Sequence, residues 1–519
     1  MADPTRTRPD PEMTLPSVVA SLARSGAASD VVLTVIFHPE VSLIGYRARL
    51  PARAGCAPWV LGRRSPSFFL NDGGPPLALD DRHVSRRAVQ FMAGNGRLTL
   101  KRFENASRCR VDGAELFDSL EISSDRLHRG VAILLGHSIV LLLRSAPRAG
   151  PAAGVSPEES CLRGASAAMV AVRQQIDRAA RCDLDVLIRG ETGTGKELVA
   201  NAIHRASPRR GGPMISVNMA AIPRDLAPAV LFGCARGAYT GAERAVPGFF
   251  ELAEQGSLFL DEIGDASPSI QTQLLRALQQ GEIQRVGGPV ERVNVRVISA
   301  TETDLEGSEC DFRAALRHRL GACQIDLPPL RKRPEDIGEL MLYFFERTAD
   351  HCERTISLPN RDAPAAEIAA WALLFLAFVE YDWPGNVREL QNCVRQVMLA
   401  GEARPVVPDR LQAARIAVMR SAAGSARSRR LQEVDEETFD QVMAANGFEV
   451  KPVAKQLGVS RAAVYRRIER SPHYRLASTL SPEEIQSALD HCSGDSAAAS
   501  RQLRVPLNTL RGRMRNFNL

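Results

Sequence analysis

The 519-residue chain lacks the features of a secreted or membrane-spanning protein. Its longest largely apolar runs, Val131–Leu143 and Ile368–Val379, fall short of the ~20 residues a helix needs to cross a bilayer. The opening MADPTRTRPDPEMTLP carries no apolar core of the kind a secretory signal needs. Ten cysteines are scattered, with no CxxC pair and no histidine cluster at zinc-ligand spacing, so reduced thiols are expected rather than a disulfide framework or zinc site. A cytoplasmic location without a membrane partner follows as the expectation. No acidic pocket of the receiver type is legible either, so control through an aspartyl phosphate is not expected.

What is present is globular. Apolar residues make up 45% and charged residues 24%, and the length suits ~3–4 domains. A net charge of +6 is too mild to name a partner. Residues 30–145 alternate short apolar runs with Gly, Pro, Asn and Asp clusters, which predicts a β-sandwich. An Ala-, Pro- and Gly-rich stretch, Ser145–Ser156, reads as a linker. Strands and helices then alternate as in an α/β nucleotide domain, over 160–330 with a helical continuation over 331–415. A second linker, Arg420–Arg430, precedes a helical end in two units, 431–475 and 480–519. Phe439, Met443, Val453, Leu457, Val459, Val464 and Ile468 repeat as Ile485, Leu489, Ala499, Leu503, Val505, Leu510 and Met514, at one constant offset without a gap. Matched apolar positions over that length indicate two copies of one helical unit. The fold class is thus multidomain: β-sandwich, α/β domain with helical lid, and C-terminal helical units.

The chemistry concentrates in the α/β region. The apolar run Val186-Leu187-Ile188 leads into Gly190-Glu191-Thr192-Gly193-Thr194-Gly195-Lys196 and a helical stretch beginning with Glu197. Glycines let backbone N–H groups curl around phosphates, the helix start adds positive potential, and Lys196 reaches the terminal phosphates. Glu197 departs from the Ser or Thr that usually holds Mg2+ after such a lysine. Asp261, at the end of Ser257-Leu258-Phe259-Leu260, suits the metal shell of an ATP–Mg2+ complex, and Glu262 suits polarising the attacking water. An isolated Asp-Glu could also be an acidic helix cap; a buried strand before it favours chemistry.

Gly190–Lys196, Gly237-Ala238-Tyr239-Thr240-Gly241-Ala242, Leu258–Gly264 and Trp383-Pro384-Gly385-Asn386-Val387-Arg388-Glu389-Leu390 together resemble the motifs of the sigma-54-dependent activators, which are AAA+ ATPases. The resemblance covers ~160–410. It implies an ATP hydrolase in a hexameric homo-oligomeric ring that remodels sigma-54 RNA polymerase. It also implies roles. Gly237 to Ala242 correspond to the loop that grips sigma-54, with Tyr239 where the family has Phe. Asn218 corresponds to a switch asparagine acting through Glu262, Arg313 and Arg319 to arginines that reach a neighbour's site, and Arg388 to a nucleotide-sensing lid arginine. Three departures surround this core: Cys234 and Ala235 replace a family His and Glu before the loop, the family's ATN sensor reads Ala300-Thr301-Glu302, and Ala315 stands where Asp is common. The alternative they raise is a nucleotide-binding, DNA-bound regulator with little hydrolysis.

Val453–Ile468 reads as helix, turn, helix, with Gly458 at the turn and Ser460 able to cap the second helix. It resembles a Fis-type unit, which implies that Arg461, Tyr465 and Arg466 face double-stranded enhancer DNA. The second copy, with Arg511, is similar; it could read an adjacent half-site or serve dimerisation alone. Near the N-terminus, Leu61-Gly62-Arg63, Leu79–Arg87 and Val111-Asp112-Gly113 resemble a forkhead-associated domain. That implies a phosphothreonine-protein partner contacted by Arg63 and Ser85. Ala88 in place of a structural His, and Ser107-Arg108-Cys109 in place of an Asn-Gly-Thr turn, depart from that pattern.

Overall fold

A computed structural model of the chain describes residues 29–50, 57–70, 73–94, 97–147, 162–238, 244–305, 311–352, 358–400, 405–413, 435–457, 461–471, 473–474 and 480–517. By contacts the chain divides into two compact units, one ending at Gln412 and the other starting at Ala413.

The first unit begins with two stacked sheets, one of eight strands and one of four. The antiparallel pair Ser29–Phe37 and Ile139–Pro147 forms the middle of the larger sheet, with Leu33 opposite Leu143. Residues 145–147, read from sequence as the start of a linker, extend this strand, because Ser29, Asp30 and Val31 provide a partner for each. Side chains alternate between faces in a strand. Val131, Ile133 and Leu135 point into the sandwich core with Val31, Leu33 and Val35. The intervening Ala132 and Leu134 join a different core, together with Phe37, Val140 and Leu142. Both faces of the central strands of the larger sheet are therefore covered, which accounts for the near-continuous apolar runs that encode them.

The cover is the helical lid. Helix Ala365–Val379 contains nine buried apolar residues, including Ile368, Trp371, Leu374, Phe375 and Phe378. A helix apolar all round has to be buried on more than one side. Here one side meets helices Ile337–Cys352 and Asn386–Leu399, and another meets the sandwich, where the Phe375 and Phe37 rings lie 4.9 Å apart. Helix Ile337–Cys352 approaches so closely that a Cβ on Gly338 would lie 2.6 Å from the Ile36 carbonyl oxygen. No helix among the described residues is long and apolar enough to cross a membrane.

A polar node flanks this shared core. Asp336, fully buried, accepts hydrogen bonds from Ser166 N at 2.7 Å and Ser166 Oγ at 2.6 Å. Arg47 of the sandwich lies 4.0 Å from the same carboxylate and donates to the Ala165 carbonyl at 2.6 Å. Arg144 pairs with Glu335 at 2.5 Å. Burial, reinforced by the Asp336 charge, pushes the Glu339 carboxyl up to about 7 against the pull of Arg47, Arg173 and the Ala165 amide. Between the unfolded value of 4.5 and about 7, the folded chain holds a proton that the unfolded chain has released. Stability of this unit should therefore fall as pH rises through that window, by on the order of 3 kcal/mol. Urea titrations at pH 5 and pH 8 check this, and Glu339→Gln should flatten the difference.

The α/β region holds five parallel strands in the order Met214–Asn218, Ser257–Asp261, Arg296–Thr301, Val186–Arg189, Cys323–Asp326. Leu187, Leu258, Leu260 and Val297 fill the core on one face. Val186, Ile188, Phe259, Ile298 and Ala300 fill the other.

The second unit contains two three-helix sets: Glu436–Ala445, Val450–Gln456 and Arg461–Arg470, then Pro482–His491, Ser496–Gln502 and Leu507–Phe517. Phe439, Met443, Val453, Val464 and Ile468 are buried in the first core. Their counterparts Ile485, Leu489, Ala499 and Leu510 are buried in the second, with Met514 partly so. Arg504 and Asp440 link the sets at 3.5 Å.

Candidate nucleotide-binding and catalytic site

The buried strand Val186–Arg189 ends at Gly190, and the loop then curls into helix Lys196–Ala206. Gly193 and Gly195 take φ of 79° and 106°, the left-handed region that glycine enters without steric cost. Gly193 is also hemmed in: a Cβ there would lie 2.4 Å from the Gly385 carbonyl oxygen of the lid. Lys196 is only 7% exposed, and its Nζ donates to the Gly190 carbonyl and to Glu262 Oε1, both at 3.0 Å. Thr194 is buried, its hydroxyl donating to the Glu191 carbonyl at 2.7 Å.

Parallel pairing sets Asn218 beside Asp261 at the carboxyl ends of neighbouring strands. Asp261 accepts the Glu262 N–H at 3.1 Å. Burial, then the Glu262 charge, raises the Asp261 carboxyl, and Lys196 opposes them. Glu262 itself sits at φ 51°, a conformation a non-glycine residue adopts at a cost and one that recurs where a side chain must be aimed. A cavity of about 900 Å³ gathers Thr192 to Glu197, Asn218, Asp261, Glu262 and Arg388. Glu262 is turned toward Lys196, whereas Asn218 accepts the Ala220 N–H at 2.9 Å.

The lid closes the loop from above. Val387 N and Arg388 N donate to the Gly193 carbonyl at 3.0 and 3.3 Å. Asn386 is fully buried; its amide donates to the Thr192 carbonyl at 3.0 Å and to Glu191 Oε2 at 3.2 Å, and its oxygen accepts the Leu330 N–H at 2.8 Å. Arg331 grips Glu191 with two nitrogens at 2.6 and 2.5 Å, which lowers that carboxyl to about 2. Neither Asn386 nor Arg331 was singled out as a site residue from sequence. Gly385-Asn386 at the start of a helix is the available signal, since a short amide at φ 52° is tolerated where other side chains are strained.

Arg313 and Arg319 do not line this cavity. Arg313 is exposed at the start of helix Ala314–Leu320. Arg319 donates Nε and Nη2 to the Leu278 carbonyl at 3.1 and 2.8 Å and lies 3.5 Å from Asp185. Of the loop Gly237 to Ala242, Gly237 and Ala238 are described, and Tyr239, Thr240, Gly241 and Ala242 lie outside the described residues. Its stem is closed by paired hydrogen bonds between Cys234 and Val246, both at 3.0 Å. Cys234 is buried in that stem.

In the sandwich, Arg63 donates to the Val84 carbonyl at 3.0 Å and the Arg82 carbonyl at 2.9 Å. Ser85 Oγ accepts the Ser107 N–H at 2.8 Å, and Ser107 Oγ accepts the Ser85 N–H at 3.2 Å. In the helical unit Tyr465 and Arg466 are exposed on helix Arg461–Arg470, while the Arg461 side chain, Gly458 and Ser460 lie outside the described residues. Arg511 is exposed, with Nε 3.3 Å from Ser496 Oγ.

Residues 162–326 match the family model of the sigma-54 interaction domain, and residues 331–427 that of the AAA+ ATPase lid domain. The DNA-binding transcriptional regulator NtrC of Rhizobium meliloti (strain 1021) is 37% identical over 374 residues, which span 69% of this chain and 70% of that protein. The chain belongs to the NtrC-type, sigma-54-dependent transcriptional regulators. NtrC of Proteus hauseri is 46% identical over 252 residues, 48% of this chain and 51% of the relative. The chain thus spans about half the length of that relative. Among solved structures, NtrX from Brucella abortus in complex with ATP shows 30% identity, covers 59% of this chain and 69% of its own, and superposes with a TM-score of 0.42. For a regulator of this family, the cavity described above coincides with the junction of the two matched regions.

Proposed function

We propose that this regulator binds and hydrolyses ATP in the 900 Å³ cavity and uses the cycle to remodel sigma-54 RNA polymerase from upstream DNA. The observation that carries this is the meeting of Lys196, Asp261, Glu262, Asn218 and Arg388 in one cavity between phosphate loop and lid. Lys196 and the loop amides would take the phosphates, Glu262 would polarise water, and Asp261 would hold Mg2+. Mg2+ binds through one or two carboxylates plus phosphates and keeps several waters, and a single carboxylate at the strand end fits that demand. The ion would neutralise charge developing between the phosphates. Arg313 and Arg319 would act in a neighbouring copy of a hexameric ring, where fingers supplied in trans can be worth ~10³-fold or more. Retention of sigma-54 by the full chain with an ATP transition-state mimic, lost in Thr240→Ala, is the expected result. Equal retention by both forms removes the loop from the reading.

Arg461, Tyr465, Arg466 and Arg511 would contact duplex DNA from the helix-turn-helix units. Arg513 donates to the Leu480 carbonyl at 3.1 Å and stacks over Phe517, so it serves its own unit. Arg466 is exposed on its helix, and Arg466→Ala should weaken enhancer binding about tenfold in gel shifts, the scale of one base contact, with Arg513→Ala weakening it less. Equal losses would argue against that ranking.

For the sandwich we propose a forkhead-associated-type fold that meets a phosphothreonine protein through Arg63 and Ser85. A second reading, that the sandwich is kept for packing, is favoured by the core it shares with the lid. Binding of a phosphothreonine peptide panel to Arg63→Ala separates them: unchanged binding takes Arg63 out of the site.

A further inference from the structure

Glu302 follows the strand Arg296–Thr301 at its carboxyl end, the side of a parallel sheet where ligands bind. Its neighbours are the phosphate-loop strand, with Thr301 opposite Arg189, and the strand that ends in Asp261. The Glu302 carboxylate accepts the Thr192 N–H at 3.1 Å and also the Thr192 hydroxyl. Its own N–H lies 3.4 Å from Glu262 Oε2. The residue therefore meets the tip of the phosphate loop through its carboxylate and the proposed water-polarising Glu262 through its backbone N–H. Two donors at that tip are consumed by a carboxylate, which when ionised accepts hydrogen bonds but donates none. Toward a phosphate itself it presents negative charge. Lys196, meanwhile, is already paired with Glu262.

We infer that Glu302 is a nucleotide-specificity residue: an internal anion that competes with the terminal phosphate for the loop and shifts this site's preference from ATP toward ADP. The inference rests on the ATP site proposed above. ADP lacks the terminal phosphate, so it feels the charge from farther away, and Coulomb energy falls with distance. The carboxylate is exposed, so the effect should also shrink with salt.

The test is equilibrium binding of fluorescent ATP and ADP analogues to the full chain and to Glu302→Gln, at low and at about 0.5 M salt. Glutamine keeps the shape and the acceptor and removes the charge. Glu302→Gln should tighten ATP about tenfold at low salt, change ADP less than about twofold, and lose most of this selectivity in high salt. Thr192→Val, which removes the hydroxyl but keeps the N–H, should leave the ATP-to-ADP ratio nearer the parent's than Glu302→Gln does. Equal changes for both nucleotides, or no change, overturn the inference. Weaker ATP binding by Glu302→Gln, as expected of an acid that helps hold a metal, also overturns it. Nucleotide binding by neither form overturns the ATP site as well, a distinct outcome from selective binding without a charge effect.

Discussion

Lys196→Ala is expected to lower ATP hydrolysis by about 10²–10³-fold, the range for losing one preorganised electrostatic group from a reaction centre. Lys196 is almost fully buried and joins the loop, through the Gly190 carbonyl, to Glu262. Alanine removes a buried cation and leaves Asp261 and Glu262 without the charge that opposes their repulsion. The Asp261 carboxyl, already raised by burial and by Glu262, should rise further. Nucleotide affinity should fall with the rate, so a binding titration run beside a phosphate-release assay checks both. Hydrolysis within about twofold of the parent would remove the lysine from the reaction and favour a regulator that barely hydrolyses.

The second large effect is one of stability. Phe375→Ala should cost ~3–5 kcal/mol, the usual range for deleting a fully buried aromatic ring. Phe375 lies where lid and sandwich share a core, against Phe37 at 4.9 Å and Trp371 at 6.5 Å. The variant should move lid and sandwich together rather than the lid alone. Trp371 and Trp383 are buried in the lid and report its unfolding by fluorescence, and near-ultraviolet dichroism of the stacked Trp59–Phe91 pair reports the sandwich. A loss below about 1 kcal/mol would show that the ring is not part of a packed interface. A lid transition that shifts while the sandwich signal stays put would show that the two do not unfold as one unit.

The same interface bears on how the sandwich could influence the nucleotide site. Helices Ile337–Cys352 and Ala365–Val379 contact the sandwich, and Asn386–Leu399, in the same core, carries the backbone N–H groups that hold Gly193. Each step in that series is a packed or hydrogen-bonded contact. The regulated element, if the sandwich is a sensor, is therefore the lid.

The phosphate loop, the acidic pair after a buried strand and the doubled helical unit were legible in the sequence because their physics is short-ranged. Gly193 and Gly195 are required by their own φ values, Lys196 by its place at the start of the helix, and the repeat by apolar spacing along one segment. Glu302 was legible as a departure, but its partner was not: Thr192 is brought to it by parallel pairing of Arg189 with Thr301. Asn386 and Arg331 reach Glu191 across the lid boundary, and no spacing rule links residues so far apart in sequence. The run Ile368–Val379 announced burial without saying against what. Its second face is covered by Phe37, Ala132, Leu134 and Leu142, strand residues that lie in near-continuous apolar runs, which mark burial without naming what covers them. The sequence by itself determined the glycine-rich loop between strand and helix, the acidic pair after a buried strand and the doubled helical unit, because each is written in short-range spacing. Only the tertiary structure decided that sandwich and lid share one core and that an acid occupies the donors of the phosphate loop, because both depend on apolar burial and pairing between distant segments.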